Sequence, residues 1–425
     1  MRHRGTIALL GVLALAVAGC GGNAGTGEPE QVASASEAAR TVPRDLGNGR
    51  LVVGALLPET GDLASISPAE AAGAEAAVDD INAAGGVLGR PVSLVRADSG
   101  DETTDSAGAA VDSLLARHAD VVLAAASSAV SLSVIDRITA AGMVLFSPSN
   151  TSPVFDEPRT DPHDLYFRTA PSDVLQASVL ATALLDAGHD HVAVLAREDS
   201  WGKQLSDELE KDVVAGGGEL TTKLLYPPGT TSFTSQAVQI RSTHPDAIVV
   251  IGFDETRRIL PALADEGIGP RHQQIYLVDG NTSDYSSYFP AGTMTGVEGM
   301  HPGEKLSSTF EDKLRRIDPE LTDFTYAPET YDATVLTALA VEAAGSDAPE
   351  QYAPEIIKAS RGGEKCTTFA RCSTLVKQGK DIDYDGESGP VDLDDSGSPS
   401  AATITLVRYT SSNAYHDVGY VTGPS

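Results

Sequence analysis

The sequence predicts an α/β protein of two doubly wound lobes, and three observations carry that prediction. Short apolar runs alternate with helix-periodic stretches, the alternation comes as two separate series, and the chain is too long for one ordinary core. It has 425 residues, 41% of them hydrophobic and 5% aromatic. A parallel strand buried on both faces reads as an unbroken apolar run, and the helix that returns the chain reads with a period near 3.6.

The first series opens on Leu51-Val52-Val53-Gly54-Ala55-Leu56-Leu57, a buried strand by composition. Ala69 to Ala84 predicts an Ala-rich helix stopped by Gly85-Gly86, because glycine tolerates the left-handed position past a helix end. A strand over Pro91 to Ala97, a helix over Thr103 to His118, a strand over Asp120 to Ala126, a helix over Val130 to Ala141 and a strand over Met143 to Phe146 complete it. The second series follows Arg168. Helices over Val174 to Ala187, Lys203 to Val214, Ser235 to Thr243 and Arg257 to Asp265 interleave with strands over His191 to Ala196, Leu220 to Leu225, Ala247 to Gly252 and Ile275 to Val278. Further on, Phe310 to Ile317 and Thr330 to Ala344 carry helical patterns, and Ala402 to Tyr409 alternates as an edge strand does.

The N-terminus has the order of an export signal: Arg2, His3 and Arg4, an apolar stretch from Thr6 to Val17, then Ala18-Gly19-Cys20. That stretch is shorter than the roughly 18 residues a membrane-spanning helix needs. Val17-Ala18-Gly19-Cys20 looks like a bacterial lipobox, with Val where Leu is commoner, so removal of residues 1–19 and lipidation of Cys20 are expected. From Gly21 to about Arg50 the chain is Gly, Ser, Ala, Glu and Pro without apolar periodicity, and residues 20–50 are expected to form a tether. Of three cysteines, Cys366 and Cys372 then remain, and two nearby cysteines in an exported chain predict one short-loop disulfide.

The formal net charge is −30, with no Lys/Arg-rich stretch, so neither nucleic acid nor an anionic lipid surface is an expected partner. No Walker A motif, GxGxxG after a strand, HExxH or GxSxG is present, which removes the usual marks of nucleotide use, zinc hydrolysis and acyl transfer. Asp381-Ile382-Asp383-Tyr384-Asp385-Gly386, with Asp392 closing the run, comes near a calcium loop but ends in Asp where that loop has Glu. No metal and no cofactor is assigned.

Several segments then resemble one family. Ala55 to Ala64 (ALLPETGDLA), Ala72 to Pro91 (AGAEAAVDDINAAGGVLGRP), Ser147 to Pro153, Phe167 to Asp173, Asp199-Ser200-Trp201-Gly202, Tyr331-Asp332-Ala333 and Tyr384 to Pro390 stand in the order found in the leucine/isoleucine/valine-binding protein family of type I periplasmic binding proteins. The resemblance spans Leu51 to Tyr409. It implies a Venus-flytrap fold, with two lobes joined by a three-stranded hinge. Lobe one would take 51–169 plus 299–388, and lobe two 170–298 plus 389–425. It also implies a solute-binding subunit of an ABC importer that closes on an amino acid, works with a permease and an ATPase, and acts as a monomer that is not an enzyme.

Site residues follow from position and from the resemblance. Ser127 and Ser128 lie between a strand and a helix, where they read as a helix cap and where free amides favour an anion. The resemblance implies that Ser128 grips the ligand's α-carboxylate. Ser149 and Thr151 match the next carboxylate-side segment, with Asn150 where the family often has a smaller residue. Asp279, before Gly280, matches the ammonium-binding acid, commonly a Glu, although Asp-Gly after a strand also reads as a turn. Trp201, the chain's single Trp, stands where the family usually has a covering Tyr, and Phe253 and Tyr331 are added by similar position. The alternative that the residues leave open is a ligand-sensing domain that signals through a partner.

Overall fold

The computed structural model describes residues 47–157 and 160–425. The expected export signal, Cys20 and nearly all of the tether lie outside them. Among the described residues, no helix is long and apolar enough to cross a membrane.

The first series builds a five-stranded parallel sheet from β1 (Val52–Leu57), α1 (Ser67–Ala83), β2 (Ser93–Asp98), α2 (Ala107–Ala116), β3 (Val121–Leu123), α3 (Ser128–Thr139), β4 (Val144–Ser147) and β5 (Tyr166–Arg168), in strand order β2-β1-β3-β4-β5. The central strands are buried on both faces, as their apolar runs require. After α1, Gly85 takes φ 107° and Gly86 φ 76°, and the Gly86 amide bonds back to the Ile81 carbonyl at 2.9 Å. This is the predicted glycine stop.

The second series supplies α4 (Asp173–Asp186), β6 (His191–Arg197), α5 (Gly202–Ala215), β7 (Glu219–Tyr226), α6 (Thr234–Thr243), β8 (Ala247–Ile251), α7 (Thr256–Asp265), β9 (Gln274–Leu277) and β10 (Glu298–Pro302). The chain then forms α8 (Ser308–Ile317), α9 (Ala327–Ala344), α10 (Pro349–Ser360), β11 (Glu364–Cys366), α11 (Phe369–Lys377), β12 (Ile382–Gly386), β13 (Gly389–Pro390), β14 (Ala401–Tyr409) and β15 (Tyr415–Pro424). The second sheet has seven strands in order β15-β14-β10-β9-β8-β6-β7, and β11, β12 and β13 form a small third sheet.

The chain passes between the two large sheets three times, near Thr169, Gly303 and 391–400. These passages touch: the Arg168 amide bonds the Gly397 carbonyl and the Gly303 amide the Thr403 carbonyl, each at 2.9 Å. The boundary expected at 299 falls inside β10, which pairs with β9 and β14, so sheet membership carries the second sheet to Pro302.

Two expectations about elements are corrected. Ala402 to Tyr409 is not an edge: β14 is antiparallel to β10 on one side and to β15 on the other, and the half-polar β15 is the edge. The helix expected from Thr103 starts at Ala107, because Asp101 accepts from the Thr103 amide and hydroxyl and folds 101–104 into a turn. Cys366 and Cys372 form a disulfide, Cα atoms 5.5 Å apart, joining β11 to α11. The acidic run resembling a calcium loop enters β12, where Lys365 Nζ bonds Asp383 at 3.2 Å and Asp385 at 2.9 Å.

Helix α9 is the pillar of the first lobe. Its first fifteen residues are buried, and the hydroxyls of Thr330, Thr334 and Thr337 donate to carbonyls four residues back at 2.7, 2.8 and 2.8 Å. Asp332 accepts from the Tyr384 hydroxyl at 2.7 Å and from the Glu387 and Ser388 amides at 3.0 and 2.7 Å, so two of the motifs quoted above are one structural tie. Helix α1 meets the start of α9 so closely that a Cβ on Gly73 would lie 2.3 Å from the Ala327 carbonyl oxygen. Gly73→Ala is therefore expected to destabilise the fold by about 1–3 kcal/mol, measured by denaturant unfolding; an unchanged midpoint would show that the two helices separate without cost.

Candidate binding cleft

In a doubly wound sheet the carboxyl ends of the strands, beside the point where strand order reverses, open onto a crevice. In the first sheet that point lies between β1 and β3, and in the second between β6 and β8. Ser127 ends the β3 loop and caps α3, its oxygen accepting from the Val130 amide at 3.4 Å. Ser128 is the first residue of α3, where backbone amides lack partners in the preceding turn.

The loop after β4 is bound to this one. Asn150 donates from Nδ2 to the carbonyls of Ala125 and Ala126 at 2.8 and 3.2 Å, and the Ser152 amide donates to the Ser128 hydroxyl at 3.4 Å. Fully buried Arg168 holds the same loop from behind, donating to the Asn150 and Ser152 carbonyls at 3.2 and 3.1 Å and pairing with Asp156. Two loop hydroxyls are directed at acids: Ser149 donates to Glu70 at 2.6 Å and Thr151 to Asp173 at 3.0 Å.

On the other side, Asp279 follows β9 and is buried. Its Oδ2 accepts from the Tyr326 hydroxyl at 2.7 Å and its Oδ1 from Gln176 at 2.9 Å, while the Gln176 side-chain oxygen accepts from the Asp279 amide at 3.0 Å. Gln176 also donates to Asp173 at 2.7 Å, so one amide bridges two buried carboxylates. Trp201 stacks on Phe253 with ring centroids 4.8 Å apart. Gly280 admits both rings: a Cβ there would lie 2.7 Å from Trp201 and 2.8 Å from Phe253.

These groups line a small cavity of about 20 Å³ with Leu63, Ile66, Ala126, Trp201 and Phe253 as apolar wall and Ser128, Ser149, Thr151, Asp279 and Tyr326 as polar lining. Six of the eight sequence-predicted ligand residues line it. Ser127 does not, because its hydroxyl is turned to Val130 and to Glu102. Tyr331 does not either: it packs on Phe310 in the first-lobe core, centroids 5.3 Å apart, and its hydroxyl bonds Asp80 at 2.6 Å. Sequence reasoning missed Tyr326 and Gln176. Tyr326 precedes α9 in a left-handed conformation, φ 65°, which no local pattern announces. Gln176 could have been found one helical turn after Asp173. A larger hollow beside α1, lined by Glu59, Ser67, Arg96 and Ile317, draws every lining residue from 59–96 and 317–318 and none from the second sheet.

The electrostatics are acidic and dominated by burial. Burial lifts Asp279 above the usual carboxylate range against the hydrogen bonds of Tyr326 and Gln176. Burial and then repulsion from Asp279 lift Asp173 well above it. Among the described residues no cation pairs with Asp279. Glu70, behind Ser149, is pushed up to about 8 by burial, and Glu329, near the passages between the sheets, likewise to about 8.

The family model described as periplasmic binding protein matches residues 51–410. The chain is similar to the chemotactic signal transduction system substrate-binding protein BasB of Halobacterium salinarum, 26% identical over 359 residues that cover 81% of this chain and 83% of that one. In fold it resembles the branched-chain amino acid transporter substrate binding protein LivJ of Streptococcus pneumoniae, solved with isoleucine (TM-score 0.72, 20% identity, 88% and 100% of the two chains). It also resembles an ABC transporter solute binding protein of R. palustris solved with benzoate (TM-score 0.71, 18% identity, 89% and 98%).

The raised acids give stability a pH dependence of known sign. An ordinary Glu ionises near 4.5, whereas Glu70 and Glu329 hold their protons in the folded state up to about 8. Between these values folding takes up protons, so stability falls as pH rises from about 5 to 8, by roughly 1 kcal/mol per pH unit for each group. Glu70→Gln is expected to remove its share of that slope, stabilising the protein at pH 8 and changing little at pH 5. Denaturant unfolding across this range checks it, and an unaltered slope would mean that Glu70 ionises normally in the fold.

Proposed function

From the premise that the chain belongs to the periplasmic binding protein family, we propose that it is the extracytoplasmic solute-binding lipoprotein of an ABC importer, capturing an amino acid with an apolar side chain by closure of two lobes. Cys20 would carry the lipid and residues 20–50 the tether, leaving the folded body beside its permease and ATPase. Capture, not catalysis, is the assigned activity.

The observation that carries this reading is the composition of the cavity at the carboxyl ends of both sheets. Ser128 and the free amides of α3 suit a carboxylate, and Asp279, with no cation of its own among the described residues, suits an ammonium. Trp201 and Phe253, stacked on each other, suit an apolar side chain laid against them. At about 20 Å³ the space holds no amino acid as it stands, so a solute would enter only where the two rims part. Closure is supported by where these groups come from: serines follow strands of the first sheet and Asp279 a strand of the second, so a single solute satisfies both sets only when the sheets approach.

The relative BasB favours a second reading, in which the closed protein is read by a signalling receptor in place of a permease. Loss of solute uptake on deletion would decide for the importer, and unchanged uptake with lost chemotaxis for the receptor.

The solute itself is reached by thermal shift against amino acids and against acids such as benzoate, since a ligand at 100 times its dissociation constant adds about 2.7 kcal/mol to stability. Asp279→Ala is expected to weaken an amino-acid ligand about 30-fold or more, by removing the partner of a buried charge, and to leave an analogue without the amine nearly unaffected. Titration calorimetry with both ligands measures the ratio, and equal losses would take the ammonium away from Asp279.

A further inference from the structure

Arg197 ends β6 in the second sheet and is fully buried. Its guanidinium meets four carboxylates. Two belong to its own side, Asp199 accepting from Nε at 2.8 Å and Glu255 from Nη1 at 2.9 Å. The other two come across from the first sheet: Asp62, after β1, accepts from Nη1 at 3.0 Å, and Glu102, after β2, from Nη2 at 2.8 Å. The Phe253 ring lies 4.5 Å from the guanidinium carbon.

Three of these neighbours also bear on the cleft. Glu102 accepts from the Ser127 hydroxyl, which caps α3 one residue before Ser128. Asp199 accepts from the backbone amides of Trp201 and Gly202 at 3.0 and 2.8 Å, fixing the start of α5 that carries Trp201 into the cavity. Phe253 is itself part of the wall.

We infer that Arg197 is a positioning residue for solute capture, a latch that ties the two lobes beside the cleft by taking Asp62 and Glu102 as partners on closure. The inference rests on the closure reading above. Asp199 and Glu255 alone suffice to neutralise a buried guanidinium, so the fold of the second lobe does not need the two acids from the first. What those acids add is a charge-assisted bond between lobes, and through Ser127 and Trp201 it sets both walls of the cavity in register. One cation facing four carboxylates leaves the closed cluster with an excess of negative charge. That excess limits the strength of the latch and leaves closure responsive to solute.

The test uses the full chain with Asp62→Asn and Glu102→Gln combined. These side chains are 22% and 13% exposed, and their replacement leaves Asp199 and Glu255 on Arg197, which Arg197→Ala would strand. Small-angle scattering without added solute is expected to give a larger radius of gyration for the double variant than for the parent. With L-isoleucine as the probe, followed by the fluorescence of the single Trp201, dissociation is expected to be about 30-fold faster with association little changed. An isolated fall in melting temperature, with radius and dissociation rate unmoved, would make Arg197 an ordinary core ion pair and overturn the latch. The two readings fail separately: a larger radius in a protein that binds no solute keeps the latch and removes the capture, whereas solute binding with an unchanged radius does the reverse.

Discussion

A charge taken out of water must meet an opposite charge or give up its proton, and this requirement orders the region between the two sheets. Two arginines are buried among the described residues, and each is surrounded. Arg168 binds Asp156 and the carbonyls of the loop that carries Ser149 and Thr151. Arg197 binds acids from both sides of the gap. The buried acids that remain beside the cleft, Glu70, Asp279 and Asp173, have hydrogen bonds from Ser149, Tyr326, Thr151 and Gln176, and burial raises them all. The cleft is thus built with its cations committed elsewhere and its acids held by neutral donors.

Parallel-sheet geometry decides where these groups collect. Every strand of a doubly wound sheet ends on the same rim, and each following helix begins there with unpaired amides. Asp62, Glu102, Ser128 and Ser149 follow β1, β2, β3 and β4, while Arg197, Phe253 and Asp279 follow β6, β8 and β9. Two rims facing each other bring seven separate turns to one place. The passages near Thr169, Gly303 and 391–400 are bonded to one another and link the two sheets.

The same geometry explains what the sequence made legible. Strands such as Val144–Ser147 and Ala247–Ile251 are buried throughout, so their apolar runs have no other reading. Residues 349–390 were illegible for the opposite reason. α10 carries a proline inside it, β11 and β13 are two or three residues long, and the disulfide holds what local pattern does not. β14 reads as an edge in sequence because its alternation is that of a half-buried strand, and the polar β15 that covers it carries no such signal. Within the cleft, Ser128, Ser149, Thr151, Trp201, Phe253 and Asp279 came from ordered motif pieces and line one cavity. Tyr331 came from the same pieces, but it lies on a face of α9 that packs into the first core. Arg197 was passed over because it is a charged residue ending an apolar strand, and nothing local reveals that four acids from distant turns will surround it.

The state of Asp279 separates the solute classes that this fold can hold. Protonated, it is a neutral group satisfied by Tyr326 and Gln176, and an acid without an amine would meet no unpaired charge there. Ionised, it needs a cation, and a ligand ammonium would supply one where no cationic side chain lines the cavity. Asp173 sharpens the distinction. Its carboxyl shares Gln176 with Asp279, so two negative charges at this spacing repel and at most one is readily carried. On the proposed reading, an ammonium that enters would offset a charge the pocket otherwise suppresses, and its contribution to affinity would be largest where Asp279 is ionised and Asp173 keeps the proton.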